Sequence, residues 1–303
     1  MRERRSGVRL RSRRRGDRAA YLILALPSVV LLTVLALYPM VILIQMSLSD
    51  VGVGNLRGAW PLNGLANFAE IFQDPDFRQV LAQTLVLVIG VMIVSLAVGF
   101  IVAMLLRHTT KLGFVTQTIM LLVWALPPVV VGSLWKFFFA SGGPLNQMLI
   151  AIRLIDRPIP FLAQPSTSLL AIAAVTLWVG IPFAALVLKS AILDVPLEVW
   201  EAARVDGAST LQLVFRIILP MIRPTLYILG VLSVVATFKG FDFIYVMTVG
   251  GPGVSSSTVP FLGYLTAFQS YEFGLAGAIS VVAMIMVLGL TVAYIFALRR
   301  EEK

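Results

Sequence analysis

Few side chains in this sequence can do bond chemistry, and those few do not converge. The chain has no cysteine and a single histidine, His108. That removes Cys/His metal sites, haem attachment, thiol nucleophiles, disulfides and a Ser-His-Asp triad, so no catalytic residue and no metal site is expected. The five lysines follow Thr110, Trp135, Leu188, Phe238 and Glu302. None follows glycine, so a G-x-x-x-x-G-K-[ST] phosphate loop is absent. Asp74 and Asp76 flank Pro75 and read as a turn rather than as paired acid and base. What remains are polar groups inside long apolar runs. Ser233, Thr237, Gly240, Phe241 and Ile244 share one face of a wheel drawn at about 100° per residue; hydroxyls, a small residue and an aromatic plate suit sugar hydroxyls and C–H faces. Lys239 and Asp242, on the other side at i and i+3, can neutralise each other. A free Lys239 would invite a phosphorylated solute, whereas a pair is structural, and the pair is the favoured reading.

The elements that must hold these groups are membrane spans. Of the 303 residues 59% are hydrophobic and 13% charged, with a mean hydropathy of +0.93, too apolar and too poor in charge for a water-soluble globular domain. Six stretches can each cross a hydrocarbon core: Tyr21 to Ser47, Val80 to Leu106, Phe114 to Phe139, Thr167 to Leu188, Pro224 to Val249 and Phe273 to Leu298. The period-two alternation of a barrel is missing, which predicts an all-α, polytopic bundle of six transmembrane helices. Residues 1–20 form a basic tail, 21–298 the six-span domain and 299–303 a short C-terminal end. The first apolar run is too long for a signal-peptide core and is read as a retained span.

The net charge of +9 follows topology. With both termini cytoplasmic, 18 of the 24 Lys and Arg lie on the cytoplasmic side, against Arg57, Arg78, Arg153 and Arg157 outside. The arginine-rich start has no aromatic residue for base stacking, so it reads as a topology signal in a mostly disordered tail and no nucleic-acid partner is expected. Residues 48 to 79 and 140 to 166 are long external connections, with a helix expected from Asn146 to Ile155. They read equally as docking surfaces for an external protein and as plugs of the bundle's mouth. Pro27, Pro39, Pro127, Pro128 and Pro182 lie in or near spans and predict kinks.

The loop of residues 189–223 is longer than a bundle turn requires. Asp194 is placed to cap a first helix with Pro196 in its first turn, and Glu198 and Glu201 suit the positive end of its dipole. Gly207 allows a sharp turn. A second helix starts near Ser209, with Leu211, Val214, Phe215 and Ile218 as one apolar stripe and Gln212 and Arg216 facing away. Pro220 and Pro224 then lead into the fifth span.

These residues carry a resemblance. Glu201-Ala202-Ala203, three residues, Gly207, nine residues, and Ile217-Ile218-Leu219-Pro220 match the EAA loop of the permease subunits of ATP-binding-cassette importers at every fixed position. Phe241-Asp242-Phe243-Ile244-Tyr245 followed by Val246-Met247-Thr248-Val249-Gly250-Gly251-Pro252 resembles the end of the fifth core span in MalF-like and UgpA-like sugar permeases. Trp178-Val179-Gly180-Ile181-Pro182-Phe183 resembles their fourth. The extra N-terminal spans and large external insertion of the maltose permease are missing, so maltose is not carried over as substrate.

The resemblance implies a carbohydrate importer of the bacterial or archaeal cytoplasmic membrane, for a disaccharide, oligosaccharide or glycerol-phosphate-type solute. It would comprise this permease, a second MalG-like six-span permease, two copies of an ABC ATPase and an extracytoplasmic solute-binding protein. No cofactor would be bound here; ATP and Mg would sit on the partner ATPase. The coupling residues would be Glu201, Ala202, Ala203, Asp206, Gly207, Leu219 and Pro220. Glu201 would meet a basic residue of the ATPase groove, Ala202 and Ala203 would allow close approach, and Gly207 would supply the bend. The implied substrate path is Trp124 and Pro128 in span three, Thr176, Val179, Gly180 and Phe183 in span four, and Ser233, Thr237, Gly240 and Phe241 in span five. Each of these is read equally as helix packing. A stand-alone, ion-coupled secondary carrier is the alternative, with Asp242 and Lys239 as its only coupling candidates and no convincing internal repeat to support it.

Overall fold

The computed structural model describes residues 13–108 and 110–300. Residues 1–12 of the expected basic tail and 301–303 lie outside them. The described chain is a run of helices: α1 (Arg13–Ser47), α2 (Ala66–Gln73), α3 (Pro75–Leu105), α4 (Lys111–Ala125), α5 (Pro128–Phe139), α6 (Pro144–Ala151) and α7 (Pro165–Leu193). Then come α8 (Leu197–Val205), α9 (Thr210–Leu213), a π-helical turn (Val214–Ile218), α10 (Leu219–Met221), α11 (Arg223–Lys239), α12 (Phe241–Met247), α13 (Val259–Phe268) and α14 (Phe273–Arg300).

Five helical stretches are long and apolar enough to cross a membrane, six if the bent pair Lys111–Ala125 and Pro128–Ala151 is one span. The first starts earlier than its apolar run, since α1 is helical from Arg13. From Leu24 to Val41 this helix is exposed along its whole length, and such an all-round apolar surface belongs in lipid or against another membrane helix. The third span is the least regular. Leu126 and Pro127 each precede a proline, which clashes with a helical conformation and pushes them extended, at ψ 137° and 134°. Pro128 then opens α5 at a position where the missing N–H costs nothing, and the chain turns by 101°. The kink was expected; so large a bend was not.

Sequence signals set other boundaries too. Asp74 accepts the Asp76 N–H at 3.0 Å and starts α3 with Pro75, and Thr110 accepts the Gly113 N–H at 2.9 Å to start α4. The α3 and α7 rods meet at Gly99, where an added Cβ would stand 2.9 Å from Ala184 Cβ. Small residues at such a crossing let the backbones close, which is where dispersion gains come from when lipid is the solvent.

Three apolar clusters organise the bundle. In the first, Phe77, Val80 and Val88 of α3 pack with Val234 and Phe238 of α11, Val259 and α14's Ala278 and Ile279. A second joins α5, α7, α12 and Phe261 through Val131, Ile172, Val175, Ile244 and Met247. The third fastens α8 and α9 to α3, α7 and α11 through Trp200, Ala203, Leu213, Ile218, Ala103, Leu188, Ile192 and Leu229.

The long connections are tied down by buried polar side chains. Asn67 donates to the carbonyls of Ser47 and Ser49 at 3.0 and 2.9 Å. Asn146, fully buried, donates to the Ala140 and Ile159 carbonyls and accepts the Ile159 N–H at 2.8 Å. It lies in α6, which covers Pro144–Ala151 rather than the expected stretch to Ile155. Helix α13, which the sequence reading passed over, is reached by a loop whose backbone is held by Gln83 and Thr84 of α3: Gln83 donates to the Val254 and Ser257 carbonyls, and Thr84 Oγ1 accepts the Val259 N–H at 3.0 Å.

Candidate functional site

The α3, α4, α5, α7, α11 and α12 helices enclose a cavity of about 520 Å³, within the size range of small-molecule sites. From α7 come Thr176, Val179, Gly180 and Phe183, whose i, i+3, i+4, i+7 spacing sets them on one helix face. The bend of the third span brings Trp124 and Pro128 to the same space, and the Trp124 and Phe183 rings stack at 5.4 Å with planes 15° apart. From the fifth span come Ser233, Thr237 and Gly240. Thr176 Oγ1 donates to the Ile172 carbonyl at 2.8 Å, which leaves its oxygen lone pairs for a guest.

Two expectations about the fifth span need correction, and both fail for one reason. The wheel assumed a continuous helix, but α11 ends at Lys239 and α12 begins at Phe241, with Gly240 between them at φ −78° and ψ 47°. Past the break the faces rotate. Phe241 leaves the cavity wall and packs against Tyr264 and Phe261 of α13, at centroid distances of 5.6 and 6.1 Å. Ile244 is buried in the cluster with Met247. Lys239 and Asp242, expected opposite this face and paired, both line the cavity, and no ion pair joins them among the described residues. The third span's Lys136 is engaged elsewhere, donating to the Val246 carbonyl at 2.9 Å.

The sequence reading missed the contribution of α3. Val91, Ser95 and Leu96 complete the wall. The available signal was Ser95 itself, the one side-chain hydroxyl between Leu85 and Leu105.

The 189–223 loop forms a second site at the far end of the bundle. Glu201, Ala202, Asp206 and Gly207 are exposed, and Leu219 and Pro220 half-buried. Ala203 turns the other way, 5% exposed in the cluster with Trp200, so of the two alanines only Ala202 is presented outward. Gly207 has φ +74°, the left-handed turn expected of it. The expected cap at Asp194 is not formed: Asp194 closes α7, and Pro196 precedes α8 with no side-chain cap bond.

In α9 Ser209 and Gln212 form a reciprocal capping box, so Gln212 does not simply face away. The apolar stripe is also redrawn. Leu211 and Phe215 are 70% and 64% exposed while Leu213 and Ile218 are buried, and the π-turn Val214–Ile218 breaks the helical period within the stripe. The Arg107 guanidinium sits 4.6 Å from the Trp200 ring centroid, a cation–π contact between the end of α3 and α8.

Spans bent around a mostly apolar cavity that carries a few hydroxyls, one lysine and one aspartate, with a helical loop packed on one end and exposed beyond it, suit a membrane transport subunit. Residues 95–300 match the model of the family described as binding-protein-dependent transport system inner membrane component, and the chain belongs to that family. A probable ABC transporter permease protein of Brucella suis biovar 1 is 30% identical over 282 residues, covering 92% of this chain and 96% of that protein. The diacetylchitobiose uptake system permease protein DasB of Streptomyces coelicolor is 25% identical over 301 residues, 98% of this chain and 92% of DasB. In fold, the chain resembles a subunit of a bacterial alginate ABC transporter, solved in complex with an alginate pentasaccharide-bound periplasmic protein. The TM-score is 0.79 at 24% identity, covering 97% of this chain and 99% of that one.

Proposed function

We propose that this chain is one permease half of an ATP-driven, binding-protein-dependent importer for a di- or oligosaccharide or a glycerol-phosphate-type solute. Its partners are a second six-span permease of the MalG type, two copies of an ABC ATPase that hold ATP and Mg, and an extracytoplasmic solute-binding protein. The chain hydrolyses no ATP itself and lies in the bacterial or archaeal cytoplasmic membrane with both termini inside. The observation that carries the carbohydrate reading is the cavity, where hydroxyls from α3, α7 and α11 face the stacked Trp124–Phe183 pair. Support comes from relatives and structural neighbours whose names state diacetylchitobiose and alginate as cargo.

The mechanism needs no bond chemistry from this chain. Glu201, Ala202, Asp206 and Gly207, at the exposed side of α8, engage a groove of the ATPase. Trp200, Ala203, Leu213 and Ile218 fix α8 and α9 to α3, α7 and α11. Each large apolar side chain buried there contributes about 1.5–3 kcal/mol, so the loop moves with the spans rather than sliding over them. Closure of the ATPases on ATP therefore becomes a rigid-body movement of the cavity walls. In the ATP-clamped, outward-facing state the binding protein releases solute into a cavity shared with the sister permease, and hydrolysis reopens the inward path.

The test is to purify the tagged chain from its native membrane in mild detergent, identify what accompanies it and assay ATP hydrolysis. A second six-span protein with an ATPase, hydrolysing ATP, is the expected result. A chain that emerges alone and inactive, under conditions that preserve other complexes, refutes the reading.

A further inference from the structure

Ser95, Lys239 and Asp242 line the cavity, and among the described residues no side-chain hydrogen bond or ion pair engages any of the three. Ser95 is 3% exposed, its Oγ has no hydrogen-bond partner, and it lines the cavity beside Gly180, where an added Cβ would come within 3.2 Å of that oxygen. Burying a hydroxyl without a bond is unfavourable, and such atoms in native proteins mark an absent ligand or water. Charged side chains inside a span persist where they pair or where they face water or solute, and they then mark a transport path. Lys239 and Asp242 do not pair with each other, and both line the cavity.

We propose that Ser95, Lys239 and Asp242 touch the transported solute and determine its specificity, and that this solute is an uncharged sugar. The proposal rests on the carbohydrate reading above and narrows it. An ammonium only donates, a carboxylate only accepts, and a serine hydroxyl does both. Sugar hydroxyls also do both, so one can take a hydrogen bond from Lys239 while a neighbouring O–H donates to Asp242. Bonds to a charged group are the stronger kind and fix orientation. Among the cavity's lining residues there is one cation and one anion, so the wall contributed by this chain is formally neutral. A phosphate, sulfonate or uronate gains from Lys239 but meets the Asp242 carboxylate three residues on. A cationic amino sugar faces the reverse conflict. A neutral polyol meets neither conflict, satisfies both groups and leaves the Trp124–Phe183 pair free to cover its C–H face.

The experiment uses the complete importer in proteoliposomes with its binding protein outside and ATP inside. Maltose, trehalose and N,N′-diacetylchitobiose serve as neutral probes, and an alginate trisaccharide and glycerol 3-phosphate as anionic ones. Uptake of at least one neutral probe and of neither anionic one is expected. Ser95→Ala, Lys239→Gln and Asp242→Asn should each raise the transport KM roughly tenfold, with binding-protein-stimulated ATP hydrolysis unchanged within about twofold. Thermal unfolding in detergent reports whether each variant is folded. Lys239→Arg and Asp242→Glu, which keep the charges, should recover most of the lost affinity. Wild-type uptake of an anionic probe, lost in Lys239→Gln and improved in Asp242→Asn, overturns the proposal, and this result does not depend on Ser95→Ala folding. Unchanged KM in all three folded variants overturns it too while leaving the carbohydrate reading intact. An assembled importer that hydrolyses ATP yet moves none of the sugars removes that reading, and the proposal with it.

Discussion

Gly207 lies at φ +74° with nothing within 4 Å of where a Cβ would sit, so replacing it strains the backbone without causing a clash. A left-handed conformation costs an ordinary L-residue about 1–2 kcal/mol, less for asparagine and more for a β-branched side chain. Since the turn joins α8 to α9 and is exposed, the chain can relieve that strain by moving α8 away from its native position. The fraction of molecules presenting Glu201 and Ala202 correctly should then fall by a factor of roughly 5–30. Titrating the ATPase subunit onto nanodisc-embedded permease pairs measures this as a rise in Kd, with ATP consumed per solute moved as a second readout. The expected order of affinity is wild type, Gly207→Asn, Gly207→Ala, Gly207→Val. Asparagine is larger than alanine, so this order inverts what crowding alone would give. If Gly207→Ala binds like wild type while Gly207→Asn does not, the turn contributes close approach to the ATPase and the argument from backbone strain is refuted.

Three other perturbations follow from the same geometry. Glu201 is exposed on α8, so Glu201→Lys should leave thermal stability within about 0.5 kcal/mol but abolish transport and its coupling to ATP hydrolysis; a stand-alone carrier would stay active. Trp124→Ala removes one ring of the stacked pair. If the ring's contact with the solute is of the size of an aromatic pair, about 0.5–1.5 kcal/mol, the transport KM should rise roughly two- to twelvefold, while Trp124→Phe retains most of the affinity; an unchanged KM in a folded Trp124→Ala variant would count against the aromatic plate. Gly99→Leu forces apart α3 and α7, whose backbones meet at Ala184 and Ala185. Over-packing typically costs about 1–3 kcal/mol, so the melting temperature in detergent should drop clearly, and an unaltered value would mean that the two helices are not held as described.

Helix periodicity read well wherever a helix was continuous and poorly wherever it broke. The α7 face of Thr176, Val179, Gly180 and Phe183 required only regular spacing, and the cavity contains all four. The same wheel carried across Gly240 misplaced Phe241 and Asp242, because a single non-helical residue rotates everything after it. The π-turn at Val214–Ile218 did the same to the stripe from Phe215 onward. Neither break has a decisive local signal, since glycine occurs in many membrane helices without interrupting them. Pro127 and Pro128 do carry one, and there the break was legible even though its angle was not.

The sequence by itself determined that the chain is a polytopic helical bundle, that it has no cysteine and a single histidine, and which loop resembles a coupling element. Those properties follow from apolar length, from residue inventory and from fixed spacing along the chain, all of them local or compositional. Only the tertiary structure decided that Ser95 of α3 shares a wall with Gly180 and Asp242, that Lys239 is not neutralised by Asp242, and that Ala203 faces its own bundle rather than outward. The first and third are relations between helices distant in sequence, and the second turns on the break at Gly240. They depend on where Gly240, the proline pair and the π-turn redirect the backbone, and on which close approaches the small residues permit.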